Sequence, residues 1–166
     1  MRQALLIALV LSGCGRAPSQ AAADSAGARL EAAAETAGIV PDPNAPLQGS
    51  WARDTDRVCV VGTEKTARIG VSVDYGEDQG CAASGTVERS GDALKLAFGA
   101  CKFDARFDGD RIVFPSEIPE ACDTLCTGRA SLAAVTVDRI SESRSEASTL
   151  RSTGGRSSAG KLLCAN

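Results

Sequence analysis

The stretch "CKFDARFDGDRIVF", residues 101–114, decides the expected fold. Its first half alternates apolar residues, at positions 101, 103, 105 and 107, with polar ones, which indicates a strand with one buried face. Asp108–Gly109 then interrupts the alternation, and Asp-Gly between two such runs is a strong β-hairpin signal. A two-residue turn there pairs Ala105 with Ile112. A slip of two residues keeps the same faces, so the sequence leaves the register open.

The same period of two recurs in both directions from this hairpin. "RIGVSVDY", residues 68–75, places Ile69, Val71, Val73 and Tyr75 on one face, and "GTVERSGDALKLAF", residues 85–98, contains a turn at Ser90–Gly91. Residues 57–63 and 131–140 are also expected strands, whereas "PSEIPEACDTLC", residues 115–126, is expected to form a loop or a single helical turn. Short strands joined by tight turns predict a mainly β fold, a small antiparallel meander that closes into a barrel or sandwich.

The cysteines predict that this β domain is stapled by disulfides. Six cysteines follow Cys14: Cys59, Cys81, Cys101, Cys122, Cys126 and Cys164. An even number in an exported chain indicates a disulfide framework. Because the first and last strands of a closed meander are neighbours, we expect a bridge between Cys59 and Cys164. The other expected bridges are Cys81 to Cys101 and Cys122 to Cys126, although two thiolates at the latter spacing could instead contribute to a metal site.

The N-terminus predicts export. Residues 1–14 have a basic residue near the start, Arg2, then an apolar run from Ala4 to Leu11 and then small residues, the layout of a secretory signal peptide. The apolar run is far shorter than the roughly 20 residues of a transmembrane helix. Its end, Leu11-Ser12-Gly13-Cys14, resembles the lipobox of bacterial lipoproteins. The resemblance implies lipid on the Cys14 thiol, cleavage just before it and acylation of the new amino group. The alternative is an ordinary signal peptide with an incidental cysteine.

This resemblance also implies an organisation and a location. Residues 1–13 are the expected signal peptide, residues 14–46 a lipidated N-terminus with an Ala/Pro-rich tether, and residues 47–166 the disulfide-bonded β domain. The tether is rich in helix formers but nearly all its apolar residues are alanine, so it is either a solvated helix or a disordered spacer. Gly15 stands where aspartate signals inner-membrane retention in the enteric version of the family. The expected location is the bacterial cell envelope, on the outer membrane facing the periplasm.

A second, smaller resemblance lies where the β domain begins. "LQGSW", residues 47–51, resembles the Gly-x-Trp opening of lipocalin-like barrels at Gly49 and Trp51. In that family the Trp plugs the base of the barrel. The alternative is that Trp51 packs in the core as the largest apolar side chain available.

Composition excludes several kinds of chemistry. The chain contains no histidine, which excludes Ser-His-Asp and Cys-His catalysis and zinc sites with histidine ligands. A net charge of −3 argues against nucleic acid as a partner. Residues 155–162, "GRSSAGKL", look like a phosphate-binding loop, but Leu162 stands where Ser or Thr would reach magnesium.

Carboxylates are the remaining candidates for catalysis. They cluster beside the expected turns, at Asp54, Asp56, Asp74, Glu77, Asp78, Asp108 and Asp110. Paired carboxylates can hydrolyse glycosides, and a carboxylate-rich loop can bind calcium. Asp is also an ordinary turn residue, so solvated turns are the expected interpretation.

The sequence therefore predicts a membrane-anchored periplasmic lipoprotein with a non-catalytic β domain that binds a small ligand or an envelope protein. No cofactor, metal or nucleic acid is expected. One alternative is an inhibitor of a hydrolase such as lysozyme, because bacterial lipoproteins that block lysozyme are also small disulfide-bearing barrels. A loop at Ser152–Lys161 that projects Arg156 and Lys161 would favour it. The second alternative is a carboxylate-based envelope hydrolase.

Overall fold

A computed structural model describes residues 20–37, 39, 41–42, 44–63, 66–154 and 160–164. The lipobox at Leu11–Cys14 and Arg156 lie outside the described residues. The chain divides into two compact units, Met1–Val40 and Pro41–Asn166. Helix α1, Gln20–Thr36, belongs to the first unit and consists largely of alanine, the residue with the highest helix propensity.

The second unit is mainly β. Its strands are β1 (Gly49–Arg53), β2 (Asp56–Thr63), β3 (Thr66–Asp74), β4 (Gly80–Ser90), β5 (Ala93–Phe98), β6 (Cys101–Phe107), β7 (Arg111–Val113), β8 (Cys126–Thr127) and β9 (Thr136–Ser141). A 3₁₀ helix, Glu120–Leu125, precedes β8, and helix α2, Arg144–Thr149, follows β9. The expected single helical turn at residues 115–126 is thus a 3₁₀ helix.

Eight of these strands close into an antiparallel barrel. Strands β1 to β7 pair in chain order, each with the next. Strand β9 then pairs with β7 on one edge and with β1 on the other, which closes the ring. Strand β8 pairs outside the ring, with the start of β4. The predicted meander is confirmed, and closure is that of a barrel.

The β6–β7 hairpin has a different register from the one predicted at Asp108–Gly109. Phe107, not Ala105, lies opposite Ile112, so the pairing is shifted by two residues. Asp108 Oδ1 accepts the backbone N–H groups of Asp110 at 3.1 Å and Arg111 at 2.8 Å. Asp108 therefore caps the turn from its first position, and Gly109, with φ +106°, takes its centre. The inner faces are unchanged because the shift is even.

Both ends of the barrel are covered by chain. The base is the end that carries the β2–β3, β4–β5 and β6–β7 turns. The segment just before β1, which we call the entering segment, packs there. Leu47 is buried, Arg89 Nη1 donates to Ala45 O at 2.7 Å, and a Cβ at Gly109 would collide with Asp42 O. The residues between β7 and β9 contribute buried Leu132 to the same core and cover the opposite end.

The disulfides correct two of the three expected pairings. Cys59 bonds Cys164, as expected from barrel closure. The Cys81–Cys101 and Cys122–Cys126 pairings are wrong, because the structure contains Cys81–Cys126 and Cys101–Cys122 instead. Cys126 lies in β8 directly opposite Cys81 in β4, with Cα atoms 4.0 Å apart. The 3₁₀ helix turns Cys122 away from β8 toward the start of β6, where Cys101 lies 4.6 Å away between Cα atoms.

Candidate functional site

The interior of the barrel is filled by large side chains. The largest fully buried ones are Trp51, Phe107, Phe114, Leu47, Ile69, Leu94, Ile112 and Leu132. The rings of Trp51 and Phe107 meet edge to face with centroids 5.6 Å apart, a favourable arrangement for aromatic pairs. The described residues thus make the barrel axis a packed core, and the ends and outer faces of the barrel are the surfaces open to a ligand.

An arginine covers the aromatic pair at the base. Arg139, on β9, places its Cζ 4.2 Å from the centroid of the Trp51 ring, within cation–π range. Its Nη2 donates to Gly109 O at 2.6 Å, which joins β9 to the β6–β7 turn. Burial lowers the pKa of this guanidinium, with Glu142 acting in the opposite direction. Trp51 is therefore a fully buried core residue near the base, beneath a cation that the sequence did not point to.

A second arginine packs on the same aromatic pair, over the Phe107 ring. Arg89, near the end of β4, places its Cζ 4.6 Å from the Phe107 ring centroid. Its Nη1 donates to Ala45 O and its Nε to Gly91 O at 3.0 Å. Together the two guanidiniums attach the entering segment and two turns to the aromatic core. No local pattern marks Arg89 or Arg139, because their ring contacts with Phe107 and Trp51 join residues that are distant in sequence.

A pocket opens at the base beside the entering segment. Its volume is about 330 Å³, and it is lined by Pro46, Leu47, Gln48, Val60, Gly62, Thr63 and Ala67. Each of these side chains is uncharged, and most are apolar. We call this recess the base pocket. Such a lining suits a ligand that is itself uncharged and apolar.

A broader depression of about 470 Å³ lies over β4, β5 and β6. It is lined by Thr86, Glu88, Lys95, Leu96, Ala97, Lys102, Phe103 and Asp104. The strand registers place Glu88, Lys95 and Asp104 in one cross-strand row. Charges of both signs alternate along that row, an arrangement typical of a solvated strand surface.

The C-terminal segment covers the outer face of β2, β3 and β4. Ser72 Oγ accepts the backbone N–H groups of Thr153 at 3.0 Å and Gly154 at 3.2 Å. Ser84 Oγ donates to Leu163 O at 2.7 Å. Gly70 leaves room for Leu163, since a Cβ at that glycine would collide with the leucine. The described parts of the C-terminal segment, residues 151–154 and 160–164, therefore form an integral layer of the domain.

The loop that this segment carries is described only in part. Its base is closed by an isolated bridge between Arg151 and Leu162 and by a hydrogen bond from Ser152 N to Lys161 O at 2.9 Å. Lys161 is exposed. Most of the stretch that resembles a phosphate-binding loop, including Arg156, lies outside the described residues.

The candidate carboxylates stand at three separate turns. Asp54 and Asp56 flank the β1–β2 turn, and Asp74, Glu77 and Asp78 occupy the β3–β4 turn, both at the end opposite the base. Asp108 and Asp110 form the β6–β7 turn at the base. Asp74 Oδ1 accepts the Gly76 N–H at 2.9 Å, an ordinary turn hydrogen bond. Burial, and then the neighbouring Asp54 charge, raises the pKa of Asp56.

The six cysteines in the described part of the chain all form disulfides. Cys122 and Cys126 bond to different partners, so neither sulfur is a thiolate ligand. In the part of the chain that the structure describes, no three His, Cys, Asp or Glu side chains gather in a group that could hold a metal ion.

The fold and the disulfides together define the structural class of this protein. It is a closed eight-stranded antiparallel barrel that is covered at both ends and cross-linked by three disulfides. No protein-family model, curated protein or solved structure matches this chain. Within its described part, no helix is long and apolar enough to cross a bilayer.

Proposed function

We propose that this chain is a lipid-anchored lipoprotein of the bacterial cell envelope whose barrel binds a ligand or partner without catalysing a reaction. The observation that carries the binding proposal is the base pocket, a recess of about 330 Å³ at one end of the barrel, whose described lining residues are uncharged. A rigid, cross-linked scaffold holds such a recess in a fixed shape, which lowers the entropic cost of binding.

The anchor is supported by chemistry outside the barrel. Leu11-Ser12-Gly13-Cys14 supplies a thiol among small residues at the end of a short apolar run. Each methylene of an attached acyl chain adds about 0.8 kcal/mol to membrane binding, and anchoring with two or more chains is stable. Disulfides are typical of exported proteins, which accords with an envelope location. Anchoring by lipid leaves the barrel free to serve binding alone.

The first experiment measures the mass of the protein after gentle extraction from its own membranes. We expect residues 14–166 plus acyl groups, with six hydrogens fewer for the three disulfides. A Cys14→Ser variant is the control and should appear unlipidated in the soluble fraction or with its signal peptide uncleaved. An unlipidated wild-type chain would contradict the anchor, and additional non-covalent mass seen under native conditions would identify the ligand or partner.

A second experiment tests the location. Gly15→Asp introduces the inner-membrane retention signal of the enteric class, so most of the protein should move from the outer-membrane to the inner-membrane fraction. Gly15→Ser is the matched control and should leave the distribution unchanged. Wild-type protein found mainly in the inner membrane would refute the outer-membrane assignment.

A further inference from the structure

We propose that the base pocket binds the end of a saturated alkyl chain that carries one uncharged polar head group. The inference rests on the ligand-binding role proposed above and names its ligand class. It requires no metal, cofactor or chemical step.

The floor of the pocket belongs to the core of the barrel. Leu47, Val60 and Ala67 line it although each is at most 4% exposed. They belong to the same buried cluster as Trp51. A ligand group that reaches this floor leaves water and contacts apolar core side chains. This transfer is favourable for a hydrocarbon group and unfavourable for a polar one.

The shape of the pocket follows from two small residues. Gly62 in β2 lies directly opposite Ala67 in β3, and both line the recess. Gly62 has φ +133°, a conformation that favours glycine, and a Cβ there would lie 3.0 Å from Ala67 Cα. Glycine at position 62 therefore lets β2 approach Ala67 closely beside Val60, where a side chain at position 62 would crowd the β3 backbone.

The described part of the rim supplies uncharged polar groups. Gln48 is half-buried and Thr63 is exposed, and both line the pocket. Their amide and hydroxyl groups can donate to and accept from a hydroxyl or ester oxygen. Among the lining residues that the structure describes, none is Lys, Arg, Asp or Glu, so this part of the rim favours hydrogen bonds to an uncharged head group.

The volume limits the length of the ligand. At about 30 Å³ per water, a pocket of about 330 Å³ holds the equivalent of about eleven waters. It lies near the lower limit of small-molecule sites, roughly 300–1,000 Å³. Affinity should therefore rise about fourfold for each methylene added until the recess is full, and should then stop rising.

The test titrates the full chain, with its disulfides formed, with 1-alkanols from butanol to octanol. Amide chemical shifts of Leu47, Val60 and Ala67 report occupancy, and transfer of magnetisation between the alkanol methyl group and the Val60 and Ala67 methyl groups locates the ligand. Hexane-1,6-diol is the matched control ligand, because it has the length of hexanol and a second polar end. We expect saturable binding of hexanol and binding of the diol that is weaker by about tenfold or more.

Two variants test where on the barrel the alkanol binds. Thr63→Phe places a ring at the rim and should weaken hexanol binding by about tenfold or more. Thr66→Phe is the control, because Thr66 is the exposed cross-strand partner of Thr63 and does not line the pocket. It should leave the affinity within about twofold. The contact with the Val60 and Ala67 methyl groups is measured on the unaltered chain, so the proposal stays testable if a variant does not fold.

Each result has one consequence. Non-saturable shifts, equal binding of hexanol and the diol, or equal effects of the two variants would overturn the alkyl site. If the alkyl site fails while the extracted protein carries lipid, only this inference falls. If hexanol binds as expected while the extracted protein carries no lipid, the lipid anchor is refuted and the alkyl-binding site is supported.

Discussion

Ser72 shows how a single polar residue holds two layers of the domain together. It is 0% exposed although it lies on the outer side of β3. Its Oγ accepts the N–H groups of Thr153 and Gly154 and lies 3.2 Å from Thr153 Oγ1. A buried hydroxyl with all its partners in place stabilises a fold, whereas amides left without an acceptor destabilise it.

We expect Ser72→Ala to lower the free energy of unfolding by about 1–3 kcal/mol, because two backbone donors lose their acceptor. Urea unfolding should show a lower midpoint with an unchanged slope. Ser90→Ala, at the exposed β4–β5 turn, is the control and should change the midpoint little. Equal midpoints for the wild type and Ser72→Ala would refute the interpretation.

Arg139 is the second residue on which the base depends. Replacing it by Ala removes the stacking on Trp51 and the charged hydrogen bond to Gly109 O. The expected loss is about 2–4 kcal/mol. Trp51 is the sole tryptophan, so its fluorescence during denaturation reports this region directly. Arg129→Ala, at an exposed turn, should unfold like the wild type, and a similar loss in both variants would argue against a special role for Arg139.

At the scale of elements, the cover opposite the base depends on how the 3₁₀ helix and β8 diverge. The helix carries Cys122 to the start of β6, and β8 carries Cys126 to the start of β4. Only three residues separate these cysteines, yet the segment is fixed to two different strands. The cover therefore restrains both strands, which a local loop between Cys122 and Cys126 would not do.

Peptide mapping of the unreduced protein tests this arrangement. We expect one disulfide-linked species containing Cys81 with Cys126 and another containing Cys101 with Cys122. Digestion must cleave between Cys122 and Cys126, and Asp123 provides a site for an aspartate-specific protease. The reduced digest is the control. Recovery of Cys122 linked to Cys126 would contradict the structure.

Two salt bridges that share Asp138 join three strands where β9 closes the barrel between β7 and β1. Asp138 in β9 accepts from Arg53 in β1 and from Arg111 in β7, with closest N···O distances of 2.9 Å on each side. The hydrogen bond from Arg111, with that from Arg53, holds the pKa of Asp138 below its ordinary 3.8. These salt bridges add only modestly to the free energy of unfolding at neutral pH, because their charged groups are partly exposed.

The sign of its pH dependence follows from the lowered pKa. The stabilisation is complete above the ordinary pKa and is lost as the pH falls through the lower folded value. Wild-type stability should therefore fall more steeply than that of Asp138→Asn as the pH drops below about 4. Urea midpoints measured across that range check this. Asp123→Asn is the control, and identical pH profiles for the wild type and Asp138→Asn would refute the coupling.

For the molecule as a whole, the Cys59–Cys164 disulfide encloses most of the barrel. Its sequence separation is 105 residues, against 21 for Cys101–Cys122. All four cysteines are buried, so replacing either pair by alanine leaves comparable cavities. The two double variants are therefore matched controls for each other.

We expect loss of Cys101–Cys122 to cost about 3 kcal/mol and loss of Cys59–Cys164 about 1 kcal/mol more, because the longer loop restricts the unfolded chain further. Thermal and urea unfolding of the two double variants measure the difference. A smaller loss for the Cys59–Cys164 pair would show that the C-terminal layer is held mainly by its hydrogen bonds.

Local patterns in the sequence determined the inner faces of the strands. Leu94, Leu96 and Phe98 are buried as their alternation predicted, and the hairpin near Asp108 exists. The pattern failed where a strand ended early. Tyr75 was expected beside Ile69, but β3 stops at Asp74, whose side chain binds the Gly76 N–H, and Tyr75 is 57% exposed.

The candidate site depended on contacts between distant residues. The sequence indicated neither the base pocket nor its lining by Leu47, Val60 and Ala67, which come from three separate segments. It also gave no sign that the polar C-terminus would bury Ser72. By itself the sequence determined faces, turns and a disulfide framework, because these follow from periodicity and residue type. Only the tertiary structure decided register, two disulfide pairings and the pocket, because these depend on which remote segments meet when the barrel closes.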